Sequence, residues 1–362
     1  MNLQNLISLK KTELVTTLLI FAVIVTAVLS SRLLRLTSGS AVHFDQEIEL
    51  TFSEASRLDS LYNLLEEKGV EIQRDELYWA ANILGWRSYQ RGRYVFEGSY
   101  SYNDFLSRMT KGIQDPTSIV ILPGSTIPRF SESVSGKLYF DQEEIKAIFT
   151  DSTYLKEKGL TTEQLFGRMS PDTYLTYWTT TPKGFINKVL REFEGSISED
   201  HLSRAEELGY SLDEIVALAS IVEWEAKLSE EKARISGLYW NRLNRGMRLQ
   251  ADPTVNFALG ERRRLLFEDY QIDHPFNTYL NRGLPPGPIT NPSLSTIEAT
   301  LYPEDHDYLY MVANPDGGHV FTKTFREHQV ESEKWRIWLR EQYRIKRQLE
   351  AEQEEANETE AS

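Results

Sequence analysis

The chain has 362 residues, a formal net charge of −14 and no cysteine. That length leaves room for roughly two or three domains, or one domain with appendages, and 40% hydrophobic residues suffice for real cores. The acidic balance argues against a nucleic-acid partner, and the missing cysteines exclude disulfides, thiolate metal sites and thiol nucleophiles.

Residues 14–29, LVTTLLIFAVIVTAVL, carry no charge, and Ser30 and Ser31 extend the run to Arg32. A membrane-spanning helix needs about 20 apolar residues, about 17 at the short end. Residues 14–31 are therefore expected to form an uncleaved transmembrane anchor, with 1–13 as a cytoplasmic tail. A cleaved signal peptide is the rival; a poor A-x-A-like site and the closely following Arg32 and Arg35 speak against it. Charge leaves orientation open, with Lys10 and Lys11 before the run and Arg32 and Arg35 after it.

A linker is expected over 32–44. Residues 45–124 read as a small α+β module. EIELTF alternates as a strand does, and SEASRLDSLYNLLEEKG repeats leucine at helical spacing until Gly69 stops it. A second helix is predicted near 76–84, a strand over 92–98, a helix over 101–112 capped by Ser101, and a strand over 118–124. Residues 125–209 read as a mostly helical connecting segment, with MSPDTYLTYWTTTPKG as a loop. The last large unit covers 210–343. Residues 344–362 end in EAEQEEANETEAS and are expected to be an acidic disordered tail.

The stretch IVALASIVEWEAKLSEE carries the chemistry. Ser211 and Glu214 form a capping-box pattern that starts a helix near Leu212. Its apolar run ends in two carboxylates, Glu223 and Glu225, around Trp224. Glu225 lies three, four and seven positions after Val222, Ile221 and Leu218, so it shares a face with large apolar residues. Glu223 neighbours the smaller Val216, Ala219 and Ser220. Glu225 is thus the carboxylate expected to be desolvated, with a raised pKa and the character of a general acid. The plainer reading makes both glutamates the solvent end of an ordinary helix.

Downstream, Asn241, Arg242 and Arg245 lie on a helix that ends at Gly246. LQADPTV then sets Gln250, Asp252 and Thr254 on a short turn fixed by Pro253. PFNTYLNRGLPPGPITNPS is too rich in Asn, Gly and Pro for regular structure and suits a loop facing a polar ligand. YLYMVANPDGGHVFTKTFREHQ reads as a hairpin around Asp316-Gly317-Gly318, then a helix. The six histidines show no HExxH-type pairing, so no metal site is expected.

In order and spacing, ASIVEWE, WNRLNRGMRLQADPTV, FNTYLNRGLPPGPITNPS and YLYMVANPDGGHVFTKTFREH resemble the endolytic murein transglycosylases of the MltG (YceG-like) family. The resemblance is strong over 212–328. Upstream, GRYVFEGSYSYNDFLSRMTKG resembles the family's LysM-like subdomain, and MSPDTY another family segment. The implied fold is α+β: a transmembrane helix, a LysM-like subdomain over 45–124, and a mixed α/β catalytic domain over 210–343.

The implied activity is cleavage of the β-1,4 bond between N-acetylmuramic acid and N-acetylglucosamine within nascent glycan strands. It leaves 1,6-anhydro-muramyl ends, limits strand length, and requires no cofactor. The family's catalytic acid carries onto Glu225. Glu223, Gln250, Asp252, Thr254, Asn277, Thr278 and Tyr279 are candidates for holding the sugars, with Trp224 as a stacking platform. Arg242 would meet an acidic group of the substrate or pair with a glutamate. Two departures stand out: Ala226 where the family commonly has Thr, and Pro123-Gly124 where it often has Pro-Glu-Gly.

The implied partners are peptidoglycan strands, the membrane through the N-terminal helix, and, as candidates, cell-wall synthases. The implied location is the inner (plasma) membrane, spanned once, with the catalytic domain outside. Two alternatives stay open: a membrane-anchored peptidoglycan-binding scaffold with weak or no catalysis, and a hydrolase using Glu225 with Asp252.

Overall fold

The structure is a computed structural model and describes residues 11–39 and 41–360. The chain divides into two compact units, residues 1–118 with 175–180, and 119–174 with 181–362. The fold is a mixed α+β one with an apolar N-terminal helix.

In the first unit, α1 (Lys11–Thr37) contains a stretch, Glu13–Thr37, long and apolar enough to cross a membrane. Its apolar side chains stand exposed, Phe21 at 64% and Val23 at 68%. Of the tail expected over 1–13, residues 1–10 lie outside the described residues. The helix runs on to Thr37 and β1 (Val42–Phe52) follows closely, so regular structure takes most of the linker expected over 32–44. Next come β2 (Ser56–Arg57), α2 (Leu58–Glu67), α3 (Arg74–Leu84), β3 (Ser88–Tyr89), β4 (Gly92–Tyr100) and α4 (Tyr102–Thr110). β1 pairs antiparallel with β4, from Val42 opposite Tyr100 to Phe52 opposite Gly92. Phe44, Phe96 and Phe105 meet beneath that pair, with Phe96 and Phe105 centroids 4.8 Å apart. Ser101 caps α4, its Oγ accepting from Asp104 N at 3.0 Å.

β5 (Pro116–Val120) begins and ends earlier than the strand expected over 118–124. The chain continues through α5 (Ile127–Ser135), α6 (Gln142–Ile148), α7 (Ser152–Lys158), α8 (Thr162–Gly167), β6 (Thr173–Tyr177), α9 (Pro182–Ser196) and α10 (Glu199–Leu208). β6 lies where the sequence suggested only loop; Tyr174 and Thr176 are buried while Leu175 and Tyr177 are exposed, the alternation of a half-buried strand. Phe130, Phe149, Phe166 and Phe185 form the core of this helical part. It belongs to the same compact unit as the segment that follows, apart from residues 175–180.

That segment contains α11 (Leu212–Glu225), α12 (Lys232–Asn244), α13 (Asp252–Leu259) and α14 (Leu294–Leu301). The capping box of α11 is formed: Ser211 Oγ accepts from Glu214 N, and Glu214 Oε2 from Ser211 N. The short turn expected around Asp252 is instead the start of α13. Pro253 sits in the first turn, where its missing N–H costs no helical bond. β7 (Tyr310–Ala313) and β8 (His319–Thr322) make the expected hairpin, with Ala313 opposite His319. α15 (Phe325–Glu360) then runs through the region expected to be a disordered tail. Its Glu, Arg, Lys, Gln and Ala residues are strong helix formers, and pairs such as Arg344–Glu341 at 2.6 Å add to that.

Candidate active site

Residues of α11 from Ile215 to Val222 are all buried, so the helix is fixed before it reaches the carboxylates. Side chains two positions apart on a helix diverge by about 200°, and the two glutamates meet unlike surroundings. Glu223 points into protein. Its carboxylate accepts from Lys232 Nζ at 3.1 and 3.3 Å, from Ser293 N at 2.9 Å, from Ser293 Oγ at 2.8 Å and from Thr296 Oγ1. Burial acts to raise its pKa, but the bonds from Thr296 and Ser293 and the charge of Lys232 outweigh it, and the net shift is downward. With both oxygens bonded within the protein and the side chain 7% exposed, Glu223 ties α11 to α12 and α14 and is not placed to bind substrate.

Glu225, the last residue of α11, opens onto a cavity of about 470 Å³. Leu238, Tyr239 and Arg242 of α12 line it, with Gln250, Asp252 and Tyr279. The hairpin contributes Tyr310–Ala313 and His319, and α15 contributes Phe325 and His328. Tyr239 Oη donates to Glu225 Oε1 at 3.0 Å. Burial, helped by the negative charge of Asp252, raises the Glu225 carboxyl to about 7, against the lowering influence of Tyr239 and Arg242. Burial and the neighbouring Glu225 also push the Tyr239 phenol well above its ordinary value, so it stays a donor throughout the neutral range.

Asp252 sits in the first turn of α13, where the helix dipole favours a negative charge. Tyr279 Oη donates to its Oδ1 at 2.6 Å, and Tyr270 Oη reaches Oδ2 at 3.4 Å. Gln250 precedes it with φ of 51°, left-handed backbone that a residue other than glycine adopts only under constraint. Its N–H donates to Thr278 O at 3.2 Å, which holds it there.

Of the proposed sugar-binding set, Gln250, Asp252 and Tyr279 thus meet at the cavity with Glu225. Thr254, Asn277 and Thr278 do not. Thr254 and Thr278 are buried and share a 2.9 Å hydroxyl contact, and Thr278 Oγ1 accepts from Ala251 N at 3.0 Å. Asn277 is fully buried; its Nδ2 donates to Tyr270 O and Ile272 O, and its Oδ1 accepts from Tyr279 N. These side chains shape the loop beneath the ligand-facing residues.

Trp224 also departs from expectation. It lines a separate cavity of about 220 Å³ with Phe166, Phe257 and Ile289, under the Arg262 guanidinium 4.9 Å from its ring. A step of about 100° along the helix turns it away from the acid. Among the described residues Arg242 makes no ion-pair contact with a glutamate, acting on Glu225 only through its charge; its Nε donates to Leu309 O at 2.6 Å and its Nη1 to Leu249 O.

Sequence reasoning missed Tyr239, Tyr310, His319 and His328 as cavity residues. Tyr239 lies fourteen positions after Glu225 on the next helix, and its hydroxyl is the group that touches the acid. Glu231 was missed as well: it is 7% exposed, and its two oxygens take His319 N and His319 Nδ1, each at 2.8 Å, fixing the hairpin wall. Among the described residues, no group of three or more His, Asp or Glu could hold a metal ion.

Comparison with known proteins points the same way. The chain is 27% identical over 304 residues to the endolytic murein transglycosylase of Bacillus subtilis, covering 80% of this chain and 84% of that one. It is 27% identical over 301 residues to the protein of that name from Streptococcus pneumoniae strain D39, spanning 74% of this chain and about half, 54%, of the longer relative. A crystal structure of a YceG-like protein from Listeria monocytogenes matches with a TM-score of 0.56 and 27% identity, over 79% of this chain and 99% of that one. The sequence model of the YceG-like family itself matches residues 50–334, which is most of the chain, including every residue of the cavity: the protein belongs to the YceG-like family.

Proposed function

We propose that this protein is a peptidoglycan lytic transglycosylase with Glu225 as its only proton carrier. The observation that carries the reading is a carboxyl titrating near 7 at the wall of a polar cavity. The names of the Bacillus and Streptococcus relatives supply the substrate class.

Tyr239 donates to Oε1 of Glu225, so the acid carries its proton on Oε2. That proton goes to the glycosidic oxygen between N-acetylmuramic acid and N-acetylglucosamine as the bond to C1 breaks. The carboxylate left behind takes the proton of the muramyl C6 hydroxyl, whose oxygen attacks C1. A 1,6-anhydro end forms, no water is consumed, and Glu225 is reprotonated for the next cycle. Proton transfer by a positioned side chain contributes about 10²–10⁴-fold; Gln250, Asp252 and Tyr279 position the sugars for the remainder.

The wider reading follows from it. The β1–β4 unit is a LysM-like glycan-binding module. α1 anchors the chain by one crossing of the inner (plasma) membrane, with the residues that follow it outside, where nascent strands leave their synthases. Cutting within strands ends their elongation.

The test incubates the detergent-solubilised chain with purified glycan strands and reads the new ends by mass spectrometry, beside Glu225→Gln. Anhydro ends that vanish in the variant are expected. Reducing ends would make the protein a hydrolase using Asp252. Bound but uncut strands would make it a scaffold.

A further inference from the structure

Residues 334–347 of α15 carry six basic side chains against a single acidic one, Glu341, in a chain of net charge −14. The basic groups are ordered. At about 100° per residue, Arg336, Arg340, Arg344 and Arg347 fall within one arc of about 80°. Trp335, Trp338, Leu339, Ile345 and Leu349 fall in a neighbouring arc of about 120°. Trp335 and Trp338 stack with centroids 4.8 Å apart. Every residue from 341 to 350 is exposed, with Tyr343 at 46%, Ile345 at 39% and Leu349 at 54%. Trp335, Trp338 and Leu339 are half-buried, Leu339 beside a hollow that Arg264 also lines, while the face from Tyr343 to Leu349 stands open.

We propose that residues 334–349 of α15 lie on an anionic lipid bilayer as a second, peripheral membrane contact. An arginine row beside an aromatic and aliphatic face is the pattern of a helix lying in the headgroup layer. The same chain carries a helix of membrane-spanning length, Glu13–Thr37. The sequence also marks where the contact stops. Residues 350–360 contain six glutamates and no basic residue, a stretch that anionic headgroups repel. A second copy of the helix is the poorer occupant, since packing the two apolar faces together brings two arginine rows side by side. The inference rests on α1 holding the chain at a membrane and not on the role of Glu225.

The chain has no cysteine, so an Ile345→Cys variant takes a single polarity-sensitive fluorophore. The full chain is reconstituted into phosphatidylcholine vesicles with and without phosphatidylglycerol, with the label at Leu202→Cys on α10 as the control. Brighter, blue-shifted emission at position 345, quenched by brominated lipid only when phosphatidylglycerol is present, is expected. Each removed arginine should weaken the contact about fivefold. The triple change Arg340→Glu, Arg344→Glu and Arg347→Glu should therefore abolish the response while leaving flotation with the vesicles intact. A label that stays aqueous in both vesicles overturns the proposal. So does a signal indifferent to phosphatidylglycerol, or concentration-dependent self-quenching, which would put a second copy on the face. Flotation on neutral vesicles tests the α1 anchor separately.

Discussion

The hydroxyl of Tyr239 sits 3.0 Å from Oε1 of Glu225, contributed by the helix that follows the acid. It is the one group in contact with the proposed proton donor that remains protonated throughout the neutral range, and so it distinguishes the two carboxylate oxygens. Removing it changes both the placement of the proton and the pH at which it is lost. Tyr239→Phe takes away a bond that lowers the Glu225 pKa, so the alkaline limb of the rate profile should move above its wild-type position near 7. kcat should fall about tenfold, the worth of one hydrogen bond to a charged group. A pH–rate profile reads both; a lower rate with an unmoved limb would make Tyr239 merely a packing residue.

Asp252 should act in the opposite sense. Its charge helps raise Glu225, so Asp252→Asn should bring the alkaline limb to lower pH. The products should remain anhydro ends at a reduced rate. Complete loss of cleavage would instead make Asp252 a participant in bond breaking, as a hydrolase requires.

Stability should respond to Glu225 with a definite sign. Its folded pKa of about 7 lies above the ordinary 4.5, so the folded state binds the extra proton between those values. The charged form is the one the fold disfavours, and its penalty is absent below about 4.5 and complete above about 7. Part of the side chain faces the cavity, which limits the cost to no more than about 3 kcal/mol. Glu225→Gln should therefore stabilise the second unit at pH 8 and leave it unchanged at pH 4, by urea unfolding. Equal stability at both pH values would contradict the desolvated acid.

Glu223 should behave in reverse. Its folded pKa is depressed, so its contribution is present above the unfolded value and lost as pH falls through the folded one. Glu223→Ala leaves Lys232 buried without its carboxylate and should cost about 3–5 kcal/mol. Activity should fall in step with the folded fraction measured by circular dichroism, with the pH profile of the surviving enzyme unchanged.

What could be read in advance was local. The Ser211–Glu214 box, the Ser101 cap and the turn at Gly317 are decided by neighbours in the chain, and each formed. The contrast between Glu223 and Glu225 was legible because helical geometry assigns each its own face. Partners across space were not. Nothing near Asn277 or Thr278 indicates that Tyr270, Ile272 and Ala251 absorb their polar atoms, so a loop rich in amides resembled a ligand surface. Trp224 was misjudged by treating adjacency in sequence as adjacency in space. The acidic run after 344 suggested disorder because charge was weighed above helix propensity.

The clasp around Glu223 bears on how portable this chemistry is. One acid needs Lys232, Ser293 and Thr296 before it can be buried, and the other needs Tyr239 before its proton has an address. A designer who copied the E-x-E helix onto another scaffold would transplant two liabilities and no enzyme. The partners of the two carboxylates lie between Ser211 and Leu301, but the walls of the cavity extend to His328, so the smallest piece worth grafting is the stretch from Ser211 to His328.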